Sequence, residues 1–153
     1  MQNNFLYEPG EYDFFHFTPV QIRFNDIDMM GHVNNAIYQH YFDYARIIYF
    51  ADVFGKPVSL EKTSLILASI YIDYLKPLHI DNQVIVASKI ILLGNKSFHM
   101  IQEIHKAPEK KIMALSQAAL VAYDNFRNYS VNVPAEWKKK IIEFEKEVRF
   151  KYA

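Results

Sequence analysis

A short stretch, Phe24–Asn35, contains the side chains of this sequence that are best arranged to do chemistry. It holds two acids, one histidine and two adjacent asparagines, and it is interrupted by a glycine, Gly31. The stretch follows an alternating pattern typical of a β-strand and leads into a long aromatic-rich pattern typical of a helix. Because a helix start presents unpaired N–H groups and a partial positive charge, it favours anions and developing oxyanions. An acid beside such a start could serve in acyl transfer.

Asp28 is the acid of interest in this stretch. The helix dipole would keep its carboxylate ionised, so it could act as a general base on water or attack a carbonyl carbon directly, and both routes stay open. The simpler alternative is an ordinary turn or capping acid. The backbone N–H of Asn34 or Asn35 could stabilise an oxyanion. Asp26 is expected to bond loop backbone, and His32 could serve the site or make a structural hydrogen bond.

The composition is typical of one globular domain over residues 1–153. Half of the residues are hydrophobic, 17 basic residues balance 17 acidic ones, and there is no cysteine. The charge balance argues against a nucleic-acid or membrane-surface binder. The missing cysteines exclude disulfides and thiol nucleophiles, and the scattered histidines predict no metal site. The N-terminal sequence does not resemble a signal peptide, and no apolar run reaches the roughly 20 residues that span a membrane. We therefore expect a cytoplasmic location.

The apolar periodicity predicts one sheet and two helices. The alternation over Val20–Asn25 predicts a half-buried strand. A helix is expected from Asn34 or Asn35 to about Phe54, where Gly55 ends it. Four further strands are expected, over residues 65–75, 83–93, 97–105 and 111–123. A terminal helix is predicted over about 134–150, since it opens with a proline. The long helix is apolar on most sides, which predicts an α+β fold with an antiparallel sheet wrapped around it.

The order of elements, together with the stretch Arg23–Tyr38, resembles the hotdog fold and in particular the 4-hydroxybenzoyl-CoA thioesterase-like acyl-CoA thioesterases. In that family an aromatic residue and an acid precede a second acid, a glycine follows three residues later, and a helix with an early tyrosine comes next. The resemblance covers about residues 18–129 and matches Asp28 to the family's catalytic carboxylate. The stretch also resembles the D-x-N-x-H-V-N-N pattern of plant acyl-ACP thioesterases. Met30 replaces the first asparagine of that pattern, which favours a site built on Asp28 and backbone amides.

This resemblance implies an enzyme that hydrolyses acyl-CoA or acyl-ACP without a cofactor, in fatty acid metabolism. The implied catalytic residues are Asp28, His32, Asn34 and Asn35. Four further residues are candidates for binding the substrate: Tyr38, Lys96, Ser97 and Arg127.

Each binding candidate also has a simpler interpretation. Coenzyme A would need basic groups for its phosphates, and Lys96 and Arg127 lie at predicted strand ends, but each could be a plain solvated charge. Ser97 matches a serine often seen at this place in the family, and it could bond either substrate or strand backbone. Tyr38 could line an acyl pocket or simply pack in the core.

Two other functions are compatible with such a fold. One is an enoyl-thioester hydratase, but that pattern has four residues between its aspartate and histidine, whereas three separate Asp28 from His32. The other is a noncatalytic acyl-thioester-binding module, against which the presence of Asp28 argues. Family members are at least homodimers with sites at the interface. The resemblance therefore implies a homodimer or homotetramer in which Asp28 of one chain meets residues of its partner.

Overall fold

A long helix lies against one face of a curved antiparallel sheet. The computed structural model describes residues 7–55 and 62–151, so the ends of the predicted domain and residues 56–61 lie outside the described residues. Helix α1 spans Asn35–Phe54 and is capped by the side chain of Asn34, which accepts the N–H of Ala36. It ends where Gly55 adopts a positive φ of 73°. None of the helices in the described residues is long and apolar enough to cross a membrane.

The sheet has the strand order β1-β3-β4-β5-β2, and all of these neighbours are antiparallel. The strands are β1 (His16–Val20), β2 (Thr63–Tyr74), β3 (Gln83–Leu93), β4 (Ser97–Ala107), β5 (Lys111–Asp124), β6 (Tyr129–Ser130) and β7 (Arg149–Phe150). The short strands β6 and β7 pair with β5 and β3. A second helix, α2, spans Ala135–Glu145. This arrangement is the predicted α+β hotdog fold, an antiparallel sheet around one long helix.

The first predicted strand and the end of the terminal helix differ from expectation. Strand β1 ends at Val20, and Phe24 is 86% exposed within a 3₁₀ turn over Phe24–Asp26. The alternating apolar pattern in the sequence extends beyond the end of the strand, because Ile22 is still buried where the backbone has already left the sheet. Helix α2 ends at Glu145, since Lys146 adopts a positive φ of 62°, and the chain then pairs with β3.

The two halves of α1 pack against opposite ends of the sheet. The N-terminal half buries Tyr41 and Phe42 against strand residues that include Ala114. The C-terminal half buries Tyr49 and Phe50 in a second cluster, with side chains from the hairpin between β3 and β4 and from α2. Alanine and serine dominate the helix-facing side of β5, and such small side chains let the helix lie close to the sheet.

The segment before β1 covers part of the other face of the sheet. Tyr7, Tyr12 and Phe14 pack there in a separate apolar cluster against side chains of three central strands. Those strand residues are Ile91, Leu92, Ile101, Ile112 and Leu115. This face of the sheet is therefore partly closed by the protein's own N-terminal segment, which we call the N-terminal strap (residues 7–15).

A buried carboxylate fastens α2 to the sheet. Glu145 is fully buried, and it accepts hydrogen bonds from the Tyr49 hydroxyl at 2.5 Å, from the Ile90 N–H at 2.9 Å and from Lys89 Nζ at 3.1 Å. Burial raises the pKa of Tyr49 well above its ordinary value, with the Glu145 charge adding to the effect. A buried charge is tolerated only when it is paired and hydrogen-bonded, and each Glu145 oxygen has donors here.

We predict that Glu145→Ala lowers the free energy of unfolding by roughly 3–5 kcal/mol, because it leaves the Lys89 ammonium buried without its counter-charge. Urea denaturation followed by circular dichroism measures this change. The control is Glu143→Ala on the same helix, where an exposed carboxylate lies 3.9 Å from Lys139. That variant should change stability by less than about 0.5 kcal/mol. Equal effects of the two variants would contradict the proposed role of Glu145.

Candidate active site

The buried carboxylate of Asp26 shapes the loop that leads into α1. Asp26 is 1% exposed. Its Oδ2 accepts the backbone N–H of Arg23 at 2.9 Å and the hydroxyl of Tyr41 at 2.6 Å, and its carbonyl oxygen accepts the N–H of Asn34 at 2.8 Å. Burial alone would raise the pKa of Asp26, but the hydrogen bonds from Tyr41 and Arg23 outweigh it and hold the pKa below its ordinary value. The predicted role of Asp26 in bonding loop backbone is confirmed.

Asp28 follows in a tight turn that fixes one oxygen of its carboxylate. Oδ1 accepts the backbone N–H groups of Met30 at 2.9 Å and of His32 at 3.2 Å. The backbone closes the same turn through bonds from Asp28 N to His32 O and from Gly31 N to Asp28 O. Gly31 has a φ of +78°, which disfavours other residues. Within the described part of the chain, Oδ2 of Asp28 accepts no hydrogen bond, so this oxygen is available for chemistry.

The first turn of α1 offers one available backbone donor. The N–H of Val33 bonds the carbonyl of Leu78, and that of Asn34 is taken up by Asp26. The side chain of Asn34 caps Ala36. By contrast, the N–H of Asn35 donates to no acceptor among residues 7–55 and 62–151. Of the two amides considered from sequence, the Asn35 amide is therefore the one that could receive an oxyanion.

His32 lies beside a second histidine that sequence reasoning missed. The rings of His32 and His79 meet edge to face, with centroids 4.9 Å apart. His79 lies in the segment that joins β2 to β3, and no local motif marks it. The bond from the Val33 N–H to the Leu78 carbonyl helps to bring that segment to the site. Among the described residues, no group of three or more histidine, cysteine, aspartate or glutamate side chains could hold a metal ion.

Tyr38 packs in the core. It is 2% exposed, and its hydroxyl accepts the N–H of Leu78 at 3.1 Å while lying 3.5 Å from the carbonyl of Lys76. Its ring also meets that of Tyr74 edge to face. In this chain Tyr38 therefore ties α1 to the segment that carries His79.

Lys96, Ser97 and Arg127 lie at the opposite end of the sheet from Asp28. Lys96 Nζ reaches the carbonyl of Ser130 at 3.4 Å, and Ser97 pairs with Val121 near the end of β5. Arg127 follows β5 and donates to the Tyr129 hydroxyl at 2.9 Å. The Asp28 loop is tied instead to the segment after β2, whose last residue pairs with Ala114. Seven residues of extended strand, about 23 Å, lie between Ala114 and Val121 on β5. One chain therefore does not bring Asp28 together with the three predicted binding residues.

The Asp28 turn lies at the surface of the chain. Met29 and Met30 beside Asp28 are exposed, and so is Asn35. The acid and the available amide of Asn35 therefore lie at the protein surface at the start of α1.

Comparison with known proteins agrees with this fold. A family model described as the thioesterase-like superfamily matches residues 22–148. A thioesterase from Thermus thermophilus, solved in complex with coenzyme A and zinc, is 26% identical, with a TM-score of 0.74 over 86% of this chain and 94% of that one. A putative thioesterase from Pseudomonas aeruginosa is 25% identical, with a TM-score of 0.77 over 84% and 99%. The PA5185 protein of P. aeruginosa strain PAO1, 22% identical, shares the fold with a TM-score of 0.80 over 89% and 95%.

We predict that Tyr41→Phe lowers the free energy of unfolding by about 1–3 kcal/mol, because it removes a hydrogen bond to a buried carboxylate. Thermal or urea unfolding measures the loss. Tyr44→Phe is the matched control, since Tyr44 lies on the same helix and is 51% exposed. A loss no larger than that of the control would contradict the role given to Asp26.

The stability that the Asp26 carboxylate contributes should fall at acidic pH. Since hydrogen bonds from Tyr41 and Arg23 hold the pKa of Asp26 below its ordinary value in the folded protein, the carboxylate contributes its full stability above the ordinary carboxyl pKa and loses it as the pH falls through the folded pKa. The stability difference between wild type and Tyr41→Phe should therefore shrink in that acid range.

Proposed function

From the membership of this chain in the thioesterase-like superfamily, we propose that it hydrolyses acyl-CoA thioesters to a free acid and coenzyme A. The observation that carries the proposal is the pairing of one available carboxylate oxygen, on Asp28, with one available backbone donor, the N–H of Asn35 at the start of α1. The relative from T. thermophilus is a thioesterase solved with coenzyme A, which favours this carrier over an acyl carrier protein.

The chemistry needs a base or a nucleophile and an oxyanion donor. In the proposed reaction, Oδ2 of Asp28 accepts a proton from water as the water oxygen attacks the carbonyl carbon, and the Asn35 N–H stabilises the oxyanion. Collapse breaks the carbon–sulfur bond, and the thiolate leaves and takes up a proton. Direct attack by Oδ2 would instead form an acyl-enzyme anhydride, which water then hydrolyses. His32 holds Asp28 through its backbone N–H in either route.

We further propose that a second copy of the chain completes the site, through the edge strand β2. This strand is 12 residues long, pairs within the described residues with β5 alone, and exposes large apolar side chains. The exposed side chains on or just after β2 are Ile66, Tyr71, Tyr74 and Leu75. A long apolar edge is a template for another strand, and antiparallel pairing of β2 with β2 of a second copy gives a two-fold dimer.

Antiparallel pairing of these edges would join opposite ends of the two chains. The start of β2, beside Ser97 and Arg127, would lie next to the end of the partner's β2, beside the partner's Asp28. Exposed apolar side chains lie at both ends: Phe126 at one, Met29 and Met30 at the other. Within one chain these two ends lie about 23 Å apart, at roughly 3.3 Å for each strand residue. In the dimer the basic residues of one chain would instead lie close to the Asp28 of the other. Lys96 and Arg127 gain access to the coenzyme A phosphates.

The N-terminal strap favours a dimer over a tetramer built by stacking two sheets. Tyr7, Tyr12 and Phe14 already occupy part of the outer face that such stacking would use. The proposed particle is therefore a homodimer of twice 18.0 kDa, and light scattering after size exclusion would measure it.

We predict that Asp28→Asn lowers kcat for acyl-CoA hydrolysis by about 10²–10⁴-fold, the usual contribution of a general base. Asparagine keeps an oxygen that can accept the N–H groups of Met30 and His32, so the turn should persist. A thiol-reactive dye measures released coenzyme A, and the enzyme adds no background because it has no cysteine.

The control variant is Asp81→Asn, an exposed change in a neighbouring loop, which should retain activity. Full activity in Asp28→Asn would overturn the mechanism, and release only from acyl carrier protein would change the carrier.

A mixed dimer tests whether the site is shared. Asp28→Asn removes the acid, and Arg127→Glu should weaken coenzyme A binding by opposing its phosphates. We expect each variant alone to have low activity at low substrate concentration. A heterodimer purified after co-expression with two tags should recover about half of the wild-type activity, because one of its two sites keeps both residues. If each site drew both residues from one chain, the heterodimer would contain two damaged sites and no activity would return.

A further inference from the structure

A cavity of about 290 Å³ lies between the N-terminal strap and the outer face of the sheet. Its large apolar side chains come from the strap and from two strands: Tyr12, Phe14, Phe17 and Ile85. His105 also lines the cavity, and in the sheet it pairs with Ile85 on one side and with Ile112, which packs under the strap, on the other. The cavity therefore lies on the side of the sheet that faces away from α1, and no step of the proposed hydrolysis uses it.

The strap that covers this cavity is held in place by cationic side chains. Arg149 Nη2 donates to Oε1 of Glu11 at 3.0 Å, and the guanidinium carbon of Arg149 lies 5.6 Å from the centre of the Tyr12 ring. The ammonium of the buried Lys89 lies 6.0 Å from the centre of the same ring. A cation over an aromatic ring is attracted by the electron-rich face of the ring. The cavity is therefore formed without a ligand, as small-molecule sites usually are.

The apolar side chains of this cavity are still partly open to water. Phe17 is 53% exposed, and Tyr12, Phe14 and Ile85 are half-buried. Because the removal of apolar surface from water is favourable, an apolar group between the strap and the sheet would be stabilised there. A volume of about 290 Å³ holds about ten groups at roughly 30 Å³ each. This is the size of an alkyl carboxylate with about eight carbons, at the same volume for each group.

Cationic side chains outnumber acids in the lining of this cavity. Lys106, near the end of β4, and Lys110, in the turn that follows, both belong to the lining. Within the described part of the chain, neither lysine makes an ion pair or a side-chain hydrogen bond. Asp13 is the one acid among the described lining residues. The charges therefore favour an anion, and a singly charged one, because Asp13 would repel a second negative charge.

We propose that this cavity is a second binding site, which takes a medium-chain alkyl carboxylate. The alkyl tail lies between the strap and the sheet, and the carboxylate lies toward Lys106 and Lys110. The site needs neither Asp28 nor a second copy of the chain, so it is independent of the proposed hydrolysis and of the proposed dimer. A ligand held there would also stabilise the folded protein, because it binds a cavity that the unfolded chain lacks.

The first test compares the affinities of matched ligands by titration calorimetry. Octanoate should bind about 100-fold more tightly than butanoate, because each of four further methylene groups contributes about fourfold when it is buried. Dodecanoate should gain little over octanoate, since the cavity is already filled. Octanol, which lacks the charge, should bind about 3- to 10-fold more weakly than octanoate, as for ion pairs at a partly exposed site. Equal affinities of octanoate and butanoate would overturn the proposal.

Histidine ring signals in an NMR titration show where octanoate binds. The chain has six histidines; His105 lines the cavity, and its Nε2 is held 2.6 Å from Oε2 of the buried Glu103. His32 and His79 lie instead beside the Asp28 turn. We expect octanoate to shift the ring signals of His105, which are assigned with the variant His105→Gln. An unchanged His105 signal would overturn the proposal, even if the signals of His32 and His79 shift.

Variants of the lining separate this cavity from other sites. Ala107 belongs to the lining, so Ala107→Phe should fill part of the cavity and weaken octanoate binding by at least about 10-fold, the loss of about two buried methylene groups. The double variant Lys106→Gln, Lys110→Gln should weaken octanoate binding by about 3- to 10-fold and leave octanol binding unchanged.

The matched control is Lys139→Gln on α2, where the side chain is exposed and lies 3.9 Å from Glu143. This variant should bind octanoate as the wild type does. The double lysine variant tests the charged end of the site even if Ala107→Phe does not fold. If the double lysine variant binds octanoate as tightly as Lys139→Gln does, the carboxylate binds elsewhere and the proposal is wrong.

Discussion

The buried carboxylate of Asp26 is the interaction on which the geometry of the candidate site depends. Through its side chain and its carbonyl it joins Arg23, Tyr41 and Asn34, which belong to the incoming chain, the body of α1 and the start of α1. Because its carbonyl occupies the amide of Asn34, the next amide along the helix is left available. Two acids only two residues apart therefore differ in environment: the buried Asp26 builds the loop, and the half-buried Asp28 keeps one oxygen without a donor among the described residues.

The sheet edge imposes a second constraint. Strand β2 has one strand neighbour and a row of exposed apolar side chains, while the N-terminal strap partly closes the outer face of the same sheet. The surface that remains apolar and unpaired is thus an edge. An antiparallel contact at an edge reverses direction, and in the proposed dimer this reversal places the basic residues of one chain beside the acid of the other. In that proposal, the strand order explains why the site would need two chains.

Sequence patterns predicted the regular elements well because burial dictates those patterns. The bounds of α1 and the four long strands were recovered closely, since both cap residues and periodicity mark them. The first strand was misplaced, because Ile22 stays buried while the Arg23 N–H, donated to the Asp26 carboxylate, turns the backbone away from the sheet. The catalytic role of Asp28 stays a prediction from its motif. His79 was missed because it lies in a segment distant in sequence from that motif.

Two buried charged side chains, Glu145 of α2 and Arg46 of α1, differ in how completely their polar atoms are hydrogen-bonded. Both oxygens of Glu145 have donors, and one of these donors, Lys89, supplies the balancing charge. Such a satisfied cluster gains nothing from a ligand and is best explained as a fastening for α2. Arg46 is also buried, but its Nε–H has no acceptor among the described residues, and it lines a cavity rather than a packed layer. An unmet buried donor is costly, so Arg46 fastens α1 to the sheet less completely than Glu145 fastens α2.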